Sequence, residues 1–133
     1  MNLMETAETL PDEIRVVVAD DEPLFVEMIQ AMLAAEEGIE VVATARDGRM
    51  AVRLAAELRP DVIVMDVSMP VMDGIDATRR IRDQDANACV LILTGGTAPG
   101  DVDRARKAGA AAYVTKDRIA TDLIVEIRNL GGR

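Results

Sequence analysis

The sequence predicts an α/β fold, a doubly wound parallel sheet of five strands with helices on both faces. Short strand-like segments alternate with helix-like segments along almost the whole chain, as in folds where helices connect parallel strands. The strand-like segments are rich in β-branched residues, whereas the helix-like segments repeat apolar residues at intervals of three and four. A chain of 133 residues is long enough to bury one such core.

Five short apolar segments are predicted to be strands, because they are too short for buried helices. They are Ile14–Ala19, Glu40–Ala45, Val62–Met65, Cys89–Leu93 and Ala111–Thr115. The first, third and fourth are almost continuously apolar, which is typical of central strands covered on both faces. The second and fifth are more mixed, so we expect them at the two edges of the sheet.

Helices are predicted after each strand, and two of them have clear end signals. Pro23 opens the first, because Pro is favoured at the first helical position. Pro60 ends the second, since it moves Arg59 out of the helical region. The remaining helices are predicted at about 75–82, 101–108 and 118–130. The fourth helix has a thin apolar stripe, which predicts weak packing and mobility.

The composition argues against several classes of function. Half of the residues are hydrophobic, yet Phe25 and Tyr113 are the only aromatic residues. So few rings count against proteins that stack nucleic-acid bases and against flavin sites that enclose a ring. The formal net charge of −9 repels nucleic acid at long range. We therefore expect no direct nucleic-acid binding by this chain.

The single cysteine, Cys89, excludes an intramolecular disulfide, and we expect it to be buried in the fourth strand. Residues 1–12 lack the basic and apolar regions of a signal peptide and are interpreted as a flexible lead-in. No segment has the roughly 18 apolar residues of a membrane span. These features predict a cytoplasmic protein with no membrane partner.

Polar residues stand directly after four of the five predicted strands. Asp20 and Asp21 follow the first strand, Asp66 the third, Thr94 the fourth and Lys116 the fifth. Ligands of such sheets bind beyond the C-terminal strand ends, so we expect these side chains to converge. Clustered carboxylates repel one another and are usually compensated by a hard divalent cation such as Mg²⁺.

Such a group has the parts that phosphoryl transfer requires. A carboxylate beside Mg²⁺ can attack phosphorus, while an ammonium and a hydroxyl stabilise and orient phosphoryl oxygens. Each residue alone also has an ordinary interpretation. One of the paired acids could cap the first helix, and Asp66 could be a turn residue. Thr94 could simply end its strand and Lys116 could be solvated, so only their convergence favours a functional site.

Four stretches together resemble the receiver domain of two-component response regulators: IRVVVADDEP, PDVIVMDVSMPVMDG, VLILTG and AAYVTKD. DGRMAVRLAAELRPDVIVMD and GIDATRRI make the chain most similar to the NarL/FixJ subfamily. The resemblance runs in order from about residue 13 to residue 130. It implies a CheY-like, flavodoxin-like sheet of strand order 2-1-3-4-5 and a receiver domain over residues 13–130. We expect no output domain within this chain.

The resemblance also implies a role for each acidic candidate. Asp66 would accept a phosphoryl group from a histidine kinase or a phosphotransfer protein. Asp21 would bind Mg²⁺ directly, Asp20 would assist through water, and Ser68 would offer its backbone carbonyl. The domain would thus be a signalling module that catalyses only its own phosphorylation and dephosphorylation.

The remaining candidates are assigned to phosphoryl contact and switching. Thr94 and Lys116 would contact the phosphoryl group. Tyr113 lies where the family carries an aromatic residue that swings inward when the Thr moves, a change that would bias the fourth helix. A second copy of the chain is a further candidate partner. Ser68 and Gly96 are small where the family often has larger side chains, which predicts a short-lived phosphorylated state. Gly96 could instead only give its loop backbone freedom.

Three other interpretations compete with this one. A pseudo-receiver, an interaction module that is not phosphorylated, would be expected to lack one of the acids, the Thr or the Lys. A metal-dependent phosphatase would place a second acid two residues after Asp66, where this sequence has Ser68. A flavodoxin-like electron carrier would need a phosphate loop after the first strand. The pseudo-receiver is the strongest of these alternatives.

Overall fold

Strands and helices alternate along residues 13–95 and 99–132, the part of the chain that the computed structural model describes. The strands are β1 (Ile14–Ala19), β2 (Ile39–Ala45), β3 (Val62–Asp66), β4 (Val90–Thr94) and β5 (Ala112–Thr115). The helices are α1 (Pro23–Ala34), α2 (Gly48–Leu58), α3 (Gly74–Gln84), α4 (Pro99–Ala108) and α5 (Ile119–Gly131). The lead-in predicted for residues 1–12 lies outside the described residues.

The strands form one parallel sheet in the order β2-β1-β3-β4-β5. This order confirms the predicted fold and the edge positions of β2 and β5. Ala19 of β1 is level with Met65 of β3, and Asp66 of β3 is level with Leu93 of β4. The C-terminal ends of the central strands therefore lie side by side at one edge of the sheet.

Two aliphatic clusters cover the two faces of the sheet, because successive strand residues point to opposite sides. Val16 and Val18 pack with α1 and α5, whereas Val17 packs with α2, α3 and α4. Each fully buried side chain of this kind contributes about 1.5–3 kcal/mol relative to exposure. Phe25 lies at the border of the first cluster and is only partly buried.

Helix ends follow short-range polar signals. The Asp47 carboxylate accepts the N–H of Met50 at 2.8 Å and so caps α2. Asp73 accepts the N–H of Asp76 at 2.8 Å in the same way and fixes the start of α3 beside β3. Arg59 leaves the helical conformation with φ of 48°, as the following Pro predicts.

Strand ends differ from the predicted ones by one residue at several places. β3 and β4 extend to include Asp66 and Thr94, and β4 begins at Val90, so Cys89 precedes the strand. Cys89 is half-buried, not buried as predicted, because it lies at the rim of the sheet. None of the helices in the described residues has the length and apolar character that crossing a membrane requires.

Candidate functional site

The predicted polar residues meet at the C-terminal edge of the sheet. Asp66 and Thr94 are the last residues of β3 and β4, and Asp20 directly follows β1. Lys116 follows β5 and opens a short 3₁₀ turn that leads into α5. Neighbouring parallel strands end at this edge together, so the fold alone brings these four side chains together.

Three carboxylates form the centre of the site. Oxygens of Asp20, Asp21 and Asp66 lie within 4.8 Å of one another. Asp20 and Asp66 are buried, at 1% and 4% exposure, whereas Asp21 is open to solvent. The cluster is therefore shielded from solvent at Asp20 and Asp66 and open to solvent at Asp21.

The two carboxylate oxygens of Asp20 have different surroundings. Oδ1 accepts the N–H of Glu22 at 2.9 Å. Glu22 is the N-cap residue of α1 and no side chain caps this helix, so the interpretation of Asp20 or Asp21 as a helix cap is wrong. Oδ2 is buried, accepts no hydrogen bond within the described residues and lies 3.5 Å from the ammonium of Lys116. A buried carboxylate oxygen among other carboxylates, with one ammonium near it, still fits a hard divalent cation, which prefers oxygen ligands. The acid cluster can therefore bind a metal ion.

The ionisation of Asp66 reflects this crowding. Burial raises the pKa of Asp66, and the neighbouring charge of Asp20 raises it further, to about 6 from an ordinary value of 3.8. The hydrogen bond and charge of Lys116 act in the opposite direction. A cation at the cluster would favour the ionised form of Asp66, which is the nucleophilic form.

Lys116 is the basic member of the site. Its Nζ lies 3.1 Å from Asp66 Oδ1 and 3.5 Å from Asp20 Oδ2. Burial acts to lower the pKa of the ammonium, but the hydrogen bonding and charges of Asp66 and Asp20 together outweigh burial and raise this pKa above 10.5. The same Nζ lies 4.3 Å from the ring centroid of Phe25. Lys116 is therefore held as a cation between two acids and an aromatic face.

The loop after Asp66 is held from both sides by close backbone packing. Gly74 donates its N–H to the Val67 carbonyl at 2.8 Å, and a Cβ on Gly74 would overlap the carbonyl of Asp66. On the other side, the N–H of Gly48 donates to the Met72 carbonyl at 3.0 Å. The two glycines let neighbouring backbone approach closely and so fix the position of Asp66.

The tip of the same loop contains a γ-turn. The N–H of Met72 donates to the Pro70 carbonyl at 2.7 Å, and Val71 between them has φ of 72°. This left-handed conformation is unusual for a β-branched residue. Ser68, two residues after Asp66, is exposed at the rim of the site.

Thr94 and Tyr113 are connected by the space beneath α4. Thr94 is buried, whereas Tyr113 on β5 is 46% exposed. Both side chains line a narrow cleft together with Val102 and Ala105 of α4. The predicted glycine at the site, Gly96, lies outside the described residues, so its part in phosphoryl lifetime stays a prediction.

Two residues that contact the site were missed by sequence reasoning. Phe25 reaches Lys116 from α1, and no spacing rule connects these two positions. Gly74 packs on the backbone of Asp66, and its only sequence signal is the Asp73-Gly74 pair at a helix start. Phe25 thus contacts the predicted residue Lys116 through its side chain, and Gly74 contacts the predicted residue Asp66 through the backbone.

The fold and the acid cluster agree with an independent comparison of the sequence with known families. The family model of the response regulator receiver domain matches residues 16–128, which is most of the chain. The protein therefore belongs to the response regulator receiver domain family, whose members are two-component signalling proteins.

Individual relatives support this membership. The transcriptional regulatory protein PdtaR of Mycobacterium tuberculosis is 44% identical over 113 residues, which cover 85% of this chain and 54% of PdtaR. The transcriptional regulatory protein DegU of Brevibacillus brevis is 37% identical and is matched over 88% of this chain and 50% of DegU. The chain thus spans about half the length of these relatives.

Solved structures give the same result. The crystal structure of a LuxR-family two-component response regulator from Aurantimonas sp. SI85-9A1 superposes with a TM-score of 0.86 at 38% identity. The match covers 91% of this chain and 87% of that one. Proteins named DegU and NarL are both among the relatives, which agrees with the likeness to the NarL/FixJ subfamily.

Proposed function

We propose that the domain accepts a phosphoryl group on Asp66 with the help of Mg²⁺ and changes conformation in response. The observation that supports this most directly is the position of Asp66. Its carboxylate is buried next to two other acids and lies 3.1 Å from the ammonium of Lys116. Lys116 supplies one positive charge that phosphoryl transfer requires, and the three acids could hold the metal ion that would supply another.

Asp20, Asp21 and Asp66 would hold the Mg²⁺ ion, with the backbone carbonyl of Ser68 as a further ligand. The buried Oδ2 of Asp20, which accepts no hydrogen bond within the described residues, supports this assignment. When bound, the ion supplies positive charge that stabilises phosphoryl oxygens. Because Asp21 is exposed while Asp20 and Asp66 are buried, the ion would enter from the side of Asp21.

The chemical step would form an acyl phosphate, a mixed anhydride, through a new bond between a carboxylate oxygen of Asp66 and phosphorus. The bond between phosphorus and the donor's nitrogen or oxygen breaks, and the leaving group keeps the electron pair and takes a proton from solvent. Lys116 would exchange its ion pair with Asp66 for a phosphoryl oxygen. The hydroxyl of Thr94 would donate a hydrogen bond to another phosphoryl oxygen, and Tyr113 would then move inward as α4 shifts to open the narrow cleft that both residues line.

The donor would be a sensor histidine kinase or a phosphotransfer protein, and the cytoplasm is where such donors meet receivers. A second copy of the domain is a further proposed partner. The relatives are named as transcriptional regulatory proteins and are matched over only about half of their length, so a transcriptional output is the proposed downstream effect. Direct nucleic-acid binding by this chain is not proposed, because its net charge is −9.

Intact-mass spectrometry after incubation with acetyl phosphate tests the proposal. The wild type should gain one phosphoryl group when Mg²⁺ is present and none when it is chelated. Asp66→Asn should gain none, whereas Asp83→Asn, which removes an exposed acid on α3, should behave as the wild type. Equal phosphorylation of Asp66→Asn would refute the assignment. A folded wild type that binds Mg²⁺ but takes no phosphoryl group would be a pseudo-receiver.

A further inference from the structure

The ammonium of Lys116 has a third neighbour besides the two carboxylates. The ring centroid of Phe25 lies 4.3 Å from Nζ, well within the distance at which a cation is attracted to an aromatic face. Phe25 stands near the start of α1, four residues after Asp21, so the same junction carries the ring and the acid pair. The ring also packs against the core cluster that contains Ile29 and Leu33, which restrains it.

The ring differs from the acids in what happens to it during the reaction. Once Asp66 is phosphorylated, its carboxylate charge would be replaced by charge on the phosphoryl oxygens, and the charge of Asp20 would be shared with a bound metal ion. The ring takes part in neither event, so its attraction for the ammonium persists through the reaction. Of the three contacts of Lys116, with Asp66, Asp20 and Phe25, only the contact with the Phe25 ring is therefore left unchanged by the chemistry.

We propose that Phe25 is a positioning residue that holds the Lys116 ammonium over the phosphoryl site. A lysine side chain has a flexible stem of four carbons and loses much rotamer freedom when its head is fixed. Lys116 is 29% exposed, so without the ring its ammonium would spend time in solvent. The effect of Phe25 on the rate of phosphorylation rests on the proposed function, whereas the contact between Phe25 and Lys116 does not.

The contact itself can be tested by NMR without metal or phosphate. Lys107 and Lys116 are the only lysines of the sequence, so selective ¹³C-lysine labelling gives two sets of side-chain signals. Lys107 is exposed and serves as an internal control. The ring current of Phe25 should shift the terminal proton signals of Lys116 relative to those of Lys107. The shift should vanish in Phe25→Leu and persist in Phe25→Tyr, while Lys107 stays unchanged in both.

The consequence for the reaction can be tested by phosphorylation kinetics with acetyl phosphate and saturating Mg²⁺. Phe25→Leu should be phosphorylated about two- to tenfold more slowly, as expected for the loss of one cation–ring contact. Phe25→Tyr restores the ring and should restore the rate. Met32→Ala removes packing from the same helix and the same core cluster, so it should lower stability without slowing phosphorylation.

Several outcomes would overturn the proposal. Unshifted Lys116 signals in the wild type would show that the ring does not hold the ammonium. A wild-type rate in Phe25→Leu, or a slow rate in Phe25→Tyr, would show that the ring does not matter for the reaction. If the wild type takes no phosphoryl group, the proposed function fails, and the NMR comparison alone decides whether Phe25 positions Lys116.

Discussion

Asp66 and Lys116 form an ion pair of 3.1 Å although Asp66 ends β3, Lys116 follows β5, and these two strands are not neighbours. β4, whose last residue is Thr94, lies between these two strands in the sheet. The long side chain of Lys116 spans this gap, which a shorter basic residue could not do. The pair therefore connects the acid cluster to the strand that carries Tyr113.

Replacing Lys116 by Ala should impair phosphoryl chemistry more than folding. The acids left behind can relieve their repulsion through a further rise in the pKa of Asp66, so the domain need not unfold. We expect a change in melting temperature of no more than about 4 °C, together with loss of phosphorylation-dependent change. Lys107→Ala, at an exposed site on α4, should leave both properties unchanged. An unfolded Lys116→Ala variant would mean that Lys116 is structural.

The pKa of Asp66 predicts how Asp66→Asn changes stability with pH in the absence of metal. The folded-state pKa of about 6 exceeds the ordinary 3.8, so the contribution of Asp66 to stability is fully present below 3.8 and is lost as the pH rises through 6. Asn carries no charge and avoids this loss. At pH 8 the variant should therefore be more stable than the wild type, by about 1–3 kcal/mol.

Urea unfolding at pH 8 and at pH 4, with a chelator present, measures this difference. The advantage of Asp66→Asn should shrink towards pH 4, where both side chains are neutral or nearly so. The variant also loses the ion pair with Lys116, which makes its gain in stability at pH 8 smaller. The gain should still increase from pH 4 to pH 8. Adding Mg²⁺ at pH 8 should stabilise the wild type more than the variant. A variant that is less stable than the wild type at pH 8 would contradict the raised pKa.

Gly74→Ala should distort the site from the backbone side. A Cβ at this position would overlap the carbonyl of Asp66, so β3 or α3 must shift. We expect a loss of about 2–4 kcal/mol in unfolding free energy and slower phosphorylation. Gly100→Ala is a matched control, because no atom lies within 4 Å of its added Cβ. The control should be neutral or slightly stabilising, and equal losses in both variants would exclude close packing as the cause.

Most of the fold and the candidate site could be predicted because both depend on strand ends. Parallel strands end at one edge, so residues such as Asp66 and Thr94 that follow apolar segments must converge there. The contact between Phe25 and Lys116 could not be predicted, since it depends on the packing of α1 and on the reach of a long side chain. Cys89 was misplaced because an apolar segment does not show where strand pairing begins.

Val71 gives the clearest case in which sequence reasoning points away from the structure. A β-branched residue disfavours positive φ, yet Val71 has φ of 72° in the γ-turn between Pro70 and Met72. The neighbouring backbone explains this, because Gly48 holds the Met72 carbonyl at 3.0 Å and fixes the end of the turn. Val71 is also 71% exposed, so little packing compensates for the strain.

Val71→Gly should therefore stabilise the domain. Removing the side chain relieves strain of about 1–3 kcal/mol, and the greater freedom of Gly in the unfolded chain offsets about 1 kcal/mol of it. We expect a net gain of about 1 kcal/mol in the free energy of unfolding, measured by urea titration. Val125→Gly makes the same change at an exposed helical position of α5 and should destabilise instead, by about 0.5 kcal/mol. A loss of stability in both variants would mean that the backbone at Val71 is not strained.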